Sequence, residues 1–288
     1  MDLYAVARCE KISAFRNTVT RRRRAKYMDY PKIETLLTLA ERAGDAIMKI
    51  YNGAIEVEEK DDKSPLTQAD LAAHKVISEG LASLTPDIPV LSEEGGIPDY
   101  AVRQGWQAYW LVDPLDGTKE FIKRNGEFTV NIALIENGKA VRAVVLAPAL
   151  GTAYWGSKDG AFKRDAEGQV EEIRCRPLPE ADWKVLVSRS HRAPEVDALL
   201  DKIPPHEPVS AGSSLKFCLI AEGSADFYPR LGLTSEWDTA AGQCVLEAAG
   251  GAVIKTDGKV LRYNTKDELL NPYFLAVSTA KYDWVSLL

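Results

Sequence analysis

The chain has no apolar run near the ~20 residues that a bilayer-spanning helix needs, so a membrane-spanning helix is excluded. Cysteine is scarce. Cys9, Cys175, Cys218 and Cys244 are scattered without C-x-x-C or zinc-type spacing, which argues against a disulfide framework and reads as reduced thiols in a cytosolic protein. Internal repeats and low-complexity linkers are missing. The N-terminal stretch lacks the apolar core of a secretory signal.

What is present is ordinary for a globular chain: 288 residues, 45% hydrophobic and 27% charged, enough for one large domain or two modest ones. Charge is uneven. Residues 1–27 carry six Arg and two Lys against Asp2 and Glu10, a balance of +6; the whole chain is at -6, so the remainder stands at -12. An acidic body argues against nucleic acid as a partner, while a local basic pocket could still hold a small anion. The Arg21-Arg22-Arg23-Arg24 run would suit a membrane-surface arm or a nucleic-acid tail. The plainer expectation is a basic extension over residues 1–29, disordered or non-native, with Met28 as an alternative start.

Ile33, Leu36, Leu37, Ala40, Ala43, Ile47 and Ile50 recur at helical spacing, and Asn52-Gly53 stops that helix. A second helix is expected from Gln68 to Leu84, then a short strand from Pro89 to Ser92. Apolar runs 128–135 and 140–147 flank Asn137-Gly138, a hairpin signal. After Pro177 and Pro179 strands alternate with helices: strands at 184–188, 208–211, 225–229, 252–255 and 274–278, and helices at 194–201, 214–222 and 239–249. The chain therefore reads as layered α/β, with one half over 30–175 and a second over 176–288.

Between the first strands lies Asp113-Pro114-Leu115-Asp116-Gly117-Thr118, directly after the strand-like run Tyr109–Val112. Two acids three positions apart can share a pair of hard cations, with the Leu115 carbonyl as a further oxygen ligand. Gly117 allows a tight turn, and a helix opening at Thr118 would present free amides to a phosphate. Taken alone, the hexad is equally an acidic strand-to-helix turn. Other acids sit in suitable places, each with a plain alternative. Glu93 and Glu94 follow a strand end. Asp70 falls in the first turn of a helix, where its charge already suits the dipole. Asp238 stands at another helix start, where Asp is a good N-cap. His191, Ser213, Ser214 and Lys216 offer donors that could grip a phosphate.

WLVDPLDGTKEFI (110–122), SEE (92–94) and WDTAAG (237–242) resemble the lithium-sensitive, magnesium-dependent phosphatases of the inositol monophosphatase superfamily. KSPLTQAD (63–70), KEFIKRNGEFTVNIAL (119–134), SRSH (188–191), GSSLKFCLIAEG (212–223) and YPRLG (228–232) resemble its bisphosphate nucleotidase branch. There Lys119-Glu120-Phe121 replaces the T-N-F that usually follows D-G-T. The resemblance runs from about Ile33 to near the C-terminus and leaves residues 1–27 uncovered.

The resemblance implies an αβαβα sandwich with mixed sheets. It implies two magnesium ions: Glu93 and Asp113 for the first, and Asp113, Asp116 and Asp238 for the second, with the Leu115 carbonyl among the ligands. Asp70 matches an acid associated with a third ion and with orienting the water, making Asp70, Glu93 and Thr118 the catalytic set. The amides of Gly117 and Thr118, with Lys119 nearby, would hold the phosphate. His191, Ser213, Ser214, Lys216 and Arg230 would contact a nucleotide. The implied reaction is hydrolysis of the 3'-phosphate of adenosine 3',5'-bisphosphate, with its 5'-phosphosulfate relative as a further substrate and a link to sulfur assimilation. The resemblance implies a cytoplasmic protein, with peripheral association at the cytoplasmic face of the inner membrane as a further option. An inositol or sugar phosphate phosphatase is the nearer alternative, and a non-catalytic nucleotide-binding regulator the more distant one.

Overall fold

The structure, a computed structural model, describes residues 30–54, 57–59, 65–187 and 194–288. The basic extension and the Ser188–His191 segment, with the expected contact His191, lie outside the described residues. Lys32–Leu288 form one compact unit. No helix of the described residues is long and apolar enough to cross a membrane.

Helix α1 (Ile33–Tyr51) buries Leu36, Leu37, Leu39, Ala40, Ala43, Gly44 and Ile47 along one stripe. Helix α2 (Gln68–Leu84) turns Ala69, Ala73, Ile77 and Leu81 inward. Between them Val57–Glu59 and Pro65–Thr67 form a small antiparallel pair, β1 and β2, which no strand pattern in the sequence announced.

The next strands are β3 (Val90–Ser92), β4 (Ala108–Asp116), β5 (Thr129–Glu136), β6 (Lys139–Ala147), β7 (Thr152–Ser157), β8 (Gly160–Arg164) and β9 (Val170–Ile173), lying in that order in one seven-stranded sheet. Within this sheet only β3 and β4 run parallel, and a four-residue helix, α3 (Tyr100–Arg103), lies on the connection between them. The hairpin turn joining β5 to β6 has Asn137 and Gly138 both at positive φ, 50° and 74°, as a type I′ turn requires. The central strands are apolar on both faces because both are covered. Leu111, Ala133, Ile135, Ala143 and Val145 join the core beneath helix α7 (Glu236–Ala248). Their neighbours Trp110, Val112, Ile132, Leu134 and Val144 are equally buried on the alternate face, where Leu146 meets α1 near Gly44. Helix α7 approaches β7 closely at Gly156, where a Cβ would lie 2.7 Å from the backbone of both Cys244 and Val245.

A second, mixed sheet of five strands orders β11 (His206–Ser210), β10 (Trp183–Val187), β12 (Phe227–Arg230), β14 (Phe274–Val277) and β13 (Ala252–Lys255). It too alternates. Leu186, Tyr228, Phe274 and Ala276 face the shared core with α7 and with α6 (Leu215–Ala221). Val185, Val187, Phe227, Leu275 and Val277 face an outer core with α5 (Pro194–Leu200), Trp284 and Leu287. Helices, sheet, helices, sheet and helix make the expected five-layer sandwich.

Two of the boundaries that differ from expectation matter below. Strand β4 continues through Asp116 instead of ending at Val112. Helix α7 begins at Glu236, three residues before Thr239, because Ser235 and not Asp238 is its N-cap.

The link between the two sheets is held by Asp226, which is 0% exposed. Its carboxylate accepts two bonds from Arg176, from Nε at 2.7 Å and Nη2 at 2.5 Å, and one from the Lys184 amide at 2.7 Å. Arg176→Ala would leave a buried carboxylate without its counter-charge, so it should lower the unfolding free energy by about 3 kcal/mol. Urea denaturation of the variant against wild type measures this; a change under about 1 kcal/mol would contradict the account.

Candidate active site

The site is organised by an irregularity in β4. Asp113 pairs with Asn131 and Asp116 with Thr129, so three steps along β4 match two along β5. One residue is extra, which makes this a β-bulge, and Pro114 sits where a missing N–H does no harm. On a regular strand, residues three apart face opposite sides. The extra residue brings Asp113 and Asp116 to the same face as Thr129 and Asn131. Beyond Asp116, Gly117 has φ 91°, a conformation that favours glycine, and it caps a five-residue helix, α4 (Thr118–Ile122).

Glu93 arrives from the neighbouring strand. The parallel pairing of Ser92 with Val112 is extended by the Glu93 amide donating to the Val112 carbonyl at 3.1 Å, which sets Glu93 beside Asp113. Ser92 is in turn braced by His74 of α2, whose Nδ1 lies 2.8 Å from its hydroxyl.

The remaining acids come from two helix starts built alike. Asp70 is the third residue of α2, and the Thr67 amide and hydroxyl both donate to its Oδ2, at 2.8 and 2.6 Å. Asp238 is the third residue of α7, and the Ser235 amide donates to its Oδ2 at 2.9 Å. Each pairing follows the capping-box spacing. In each case the cap engages one carboxylate oxygen, Oδ2. Asp70 Oδ1 accepts from the Thr118 hydroxyl at 3.4 Å.

These groups act on one another. Asp113, 1% exposed, is pushed well above the usual carboxylate range first by burial, then by the negative charges of Glu93, Asp116, Asp238 and Asp70. Asp238 is also raised well above that range, by burial first and then Asp116. The Ser235 amide and Arg230 oppose the rise, and Glu93 adds to it. Four like charges around a buried carboxylate are the electrostatic complement of hard cations, and the donor set is all oxygen, as magnesium requires. The side chains form an open cluster: among the described residues no three His, Cys, Asp or Glu side chains are close enough to hold an ion as they stand.

The expected substrate contacts divide. Gly117 and Thr118 stand beside Asp116, and Lys119 is exposed at the start of α4. Ser213 donates to Asp116 Oδ2 at 2.8 Å. Ser214, 1% exposed, is not open to a substrate: its hydroxyl donates to the Asp238 carbonyl at 2.8 Å and accepts from Asn131 Nδ2 at 3.0 Å. Lys216 is buried, with Nζ donating to the Ala211 carbonyl at 3.2 Å and lying 5.3 Å from the centre of the Tyr228 ring. Half-buried Arg230 donates through Nη2 to the Leu233 carbonyl at 2.7 Å, while its buried Nε has no partner among the described residues. Thr67, Thr129, Asn131 and Ser235 also belong to the site's frame, although no motif singled them out. The Thr67-x-x-Asp70 and Ser235-x-x-Asp238 spacings were a usable signal for two of them. Thr129 and Asn131 look like ordinary strand residues until the bulge is known.

Residues 30–284 match the inositol monophosphatase family, and the chain belongs to it. Among its curated relatives, the 3'(2'),5'-bisphosphate nucleotidase CysQ of Salmonella typhimurium is 54% identical over 248 residues, which is 84% of this chain and 98% of the relative. The protein of that name from Haemophilus influenzae is 38% identical over 263 residues, covering 88% and 96%. The crystal structure of CysQ from Bacteroides thetaiotaomicron superposes with a TM-score of 0.75 at 41% identity, over 87% of this chain and 97% of that one. A Thermotoga maritima IMPase, at TM-score 0.73 and 23% identity over 88% of this chain and 95% of its own, shares the fold.

Lys216 generates a pH test. Burial lowers its pKa from 10.5 to about 8, with Asp116, Glu120 and Glu127 opposing and Arg230 reinforcing. Below pH 8 both folded and unfolded states hold the proton, and the folded state bears the cost of the buried charge. That cost fades as pH rises from about 8 to 10.5. The stability of wild type relative to Lys216→Met should therefore improve by roughly 3 kcal/mol between pH 7 and pH 10.5, at about 1.4 kcal/mol per unit. Urea denaturation of both proteins across that range reads the difference, and a constant gap would refute it.

Proposed function

We propose that the chain is a magnesium-dependent 3'(2'),5'-bisphosphate nucleotidase. It hydrolyses the 3'-phosphate of adenosine 3',5'-bisphosphate to AMP and phosphate, and makes the same cut on 3'-phosphoadenosine 5'-phosphosulfate. The observation that carries the reading is the set of carboxylates gathered on Asp113 from four separate elements, in a chain 54% identical to a relative named for this activity. The three described cysteines are free thiols, which suits a cytoplasmic enzyme.

Glu93, Asp113, Asp116, Asp238 and the Leu115 carbonyl would hold two magnesium ions, with Asp70 serving a third. Bound there, magnesium would polarise the phosphate and lower the pKa of the attacking water. Asp70 accepts the Thr118 hydrogen, which leaves that hydroxyl oxygen as the acceptor that orients the water for in-line attack. The water oxygen bonds to phosphorus as the bond from phosphorus to the C3' oxygen breaks, and the ribose oxygen departs with the proton that the water gives up. Gly117 and Thr118 turn their amides toward the phosphoryl oxygens, and catalysis proceeds by position and electrostatics with no covalent enzyme intermediate. The metal-binding half at 30–175 thus supplies most of the reaction. The half at 176–288 supplies Asp238, and Arg230 supplies a half-buried cation beside it for the second phosphate.

A substrate panel tests the reading. With magnesium, phosphate release from adenosine 3',5'-bisphosphate should exceed that from inositol 1-phosphate; the reverse order would replace the proposal with an inositol phosphatase. Asp116→Asn should cut turnover by more than about 100-fold at saturating magnesium, a larger effect than loss of a group one shell out. Its circular dichroism should remain that of wild type. Near-normal turnover would remove Asp116 from the ligand set.

A further inference from the structure

Two adjacent hydroxyls at 213 and 214 tie together acids that are far apart in the chain. We infer that Ser213 is a positioning residue for the Asp116 carboxylate, with Thr129 acting through it, so that the 212–214 turn sets divalent-cation affinity before any substrate binds. The inference rests on the reading of Asp116 as a magnesium ligand.

Ser213 holds φ 54°, a left-handed conformation unusual for a residue with a side chain. That conformation places its Oγ at the centre of a cluster. The hydroxyl donates to Asp116 Oδ2 at 2.8 Å, accepts the Ser214 amide at 2.6 Å and meets the Thr129 hydroxyl at close range. A serine hydroxyl has one proton, and the geometry directs it to the Asp116 carboxylate oxygen. Thr129 can then give its own proton to Ser213 or to Asn131 Oδ1, which lies 3.1 Å away.

Asn131 closes the arrangement, since its Nδ2 donates to Ser214 and Ser214 donates to the backbone carbonyl of Asp238. Thr129 and Asn131 are both 0% exposed, so these bonds are shielded from water. With Oδ2 of Asp116 held by a hydroxyl, the carboxylate plane is set and Oδ1 is the oxygen presented to a cation. A group that orients a ligand in this way governs metal affinity as well as geometry. This assigns Ser213 to the cation site, where resemblance alone had assigned it to the nucleotide.

The test is substrate-free titration of the full chain with Mn2+ and with Mg2+ by calorimetry, alongside steady-state kinetics. Ser213→Ala should weaken cation affinity about 10- to 100-fold. The magnesium needed for half-maximal rate should rise in step, while KM for adenosine 3',5'-bisphosphate at saturating magnesium stays within about 2-fold of wild type. Thr129→Val, nearly isosteric, should weaken affinity in the same direction, Thr129→Ser should restore it, and the double variant should be no worse than Ser213→Ala. Wild-type cation affinity in Ser213→Ala, with a raised KM, would overturn the inference and return Ser213 to the substrate. Should Ser213→Ala fail to fold, the Thr129→Val and Thr129→Ser pair decides the matter by the same readout. Asp116→Asn separates the two levels: if it binds Mn2+ like wild type, the parent reading fails. If it loses binding while Ser213→Ala and Thr129→Val do not, only the inference fails.

Discussion

Each carboxylate that approaches Asp113 makes its ionisation costlier, because a buried anion among like charges loses water and meets repulsion together. Glu93, Asp116, Asp238 and Asp70 all act on it in this sense. A flexible chain would relieve the strain by letting these side chains drift apart. The sandwich does not permit that, because every acid is anchored at the backbone by an element whose other residues are committed to a core. The repulsion is therefore built into the fold, and a bound cation or protonation relieves it. The clustering of the acids and the architecture are in this respect one property of the protein.

The anchors are of three kinds. In β4 the anchor is the bulge, which reverses the facing of Asp116 so that it joins Asp113. At the starts of α2 and α7 it is the cap, where a backbone amide takes one oxygen of Asp70 or Asp238 and so determines where the other points. At the 213–214 turn it is a pair of hydroxyls reaching one acid by its side chain and the other by its backbone. None of these devices is costly in sequence, since each uses short polar residues that elsewhere serve as ordinary caps and turns.

The layered core explains why the anchors hold. Strands covered on both faces cannot shift register by one residue without exchanging the side chains that fill two closely packed layers, so the position of the bulge is locked by residues as distant as Val145 and Ile135. Helix α7 lies between the two sheets and is packed against backbone at Gly156, which leaves its N-terminus little freedom. Family membership, relatives named as bisphosphate nucleotidases and the acid cluster then point the same way, because the core that carries the acids is the part the relatives share.

Much of this was legible in the residues themselves. Helices α1 and α2, the hairpin at Asn137-Gly138 and the two-sheet layout follow from periodicity and turn chemistry, which are local. The candidate acids were legible too, because D-x-x-D-G-T combines with Glu93, Asp70 and Asp238 in a pattern that chance seldom assembles. What local pattern could not supply was direction. Residues three apart on a strand face opposite ways unless a bulge intervenes, and only the pairing of β4 with β5 reveals one. Asp238 looks like a cap until Ser235 is seen to occupy that place. Ser213 and Ser214 look like twin ligands until their hydroxyls are traced to Asp116 and Asp238. The sequence by itself determined which groups are present and which element carries each. The tertiary structure decided where each oxygen points, because that depends on hydrogen bonds between segments about a hundred residues apart that no local propensity encodes.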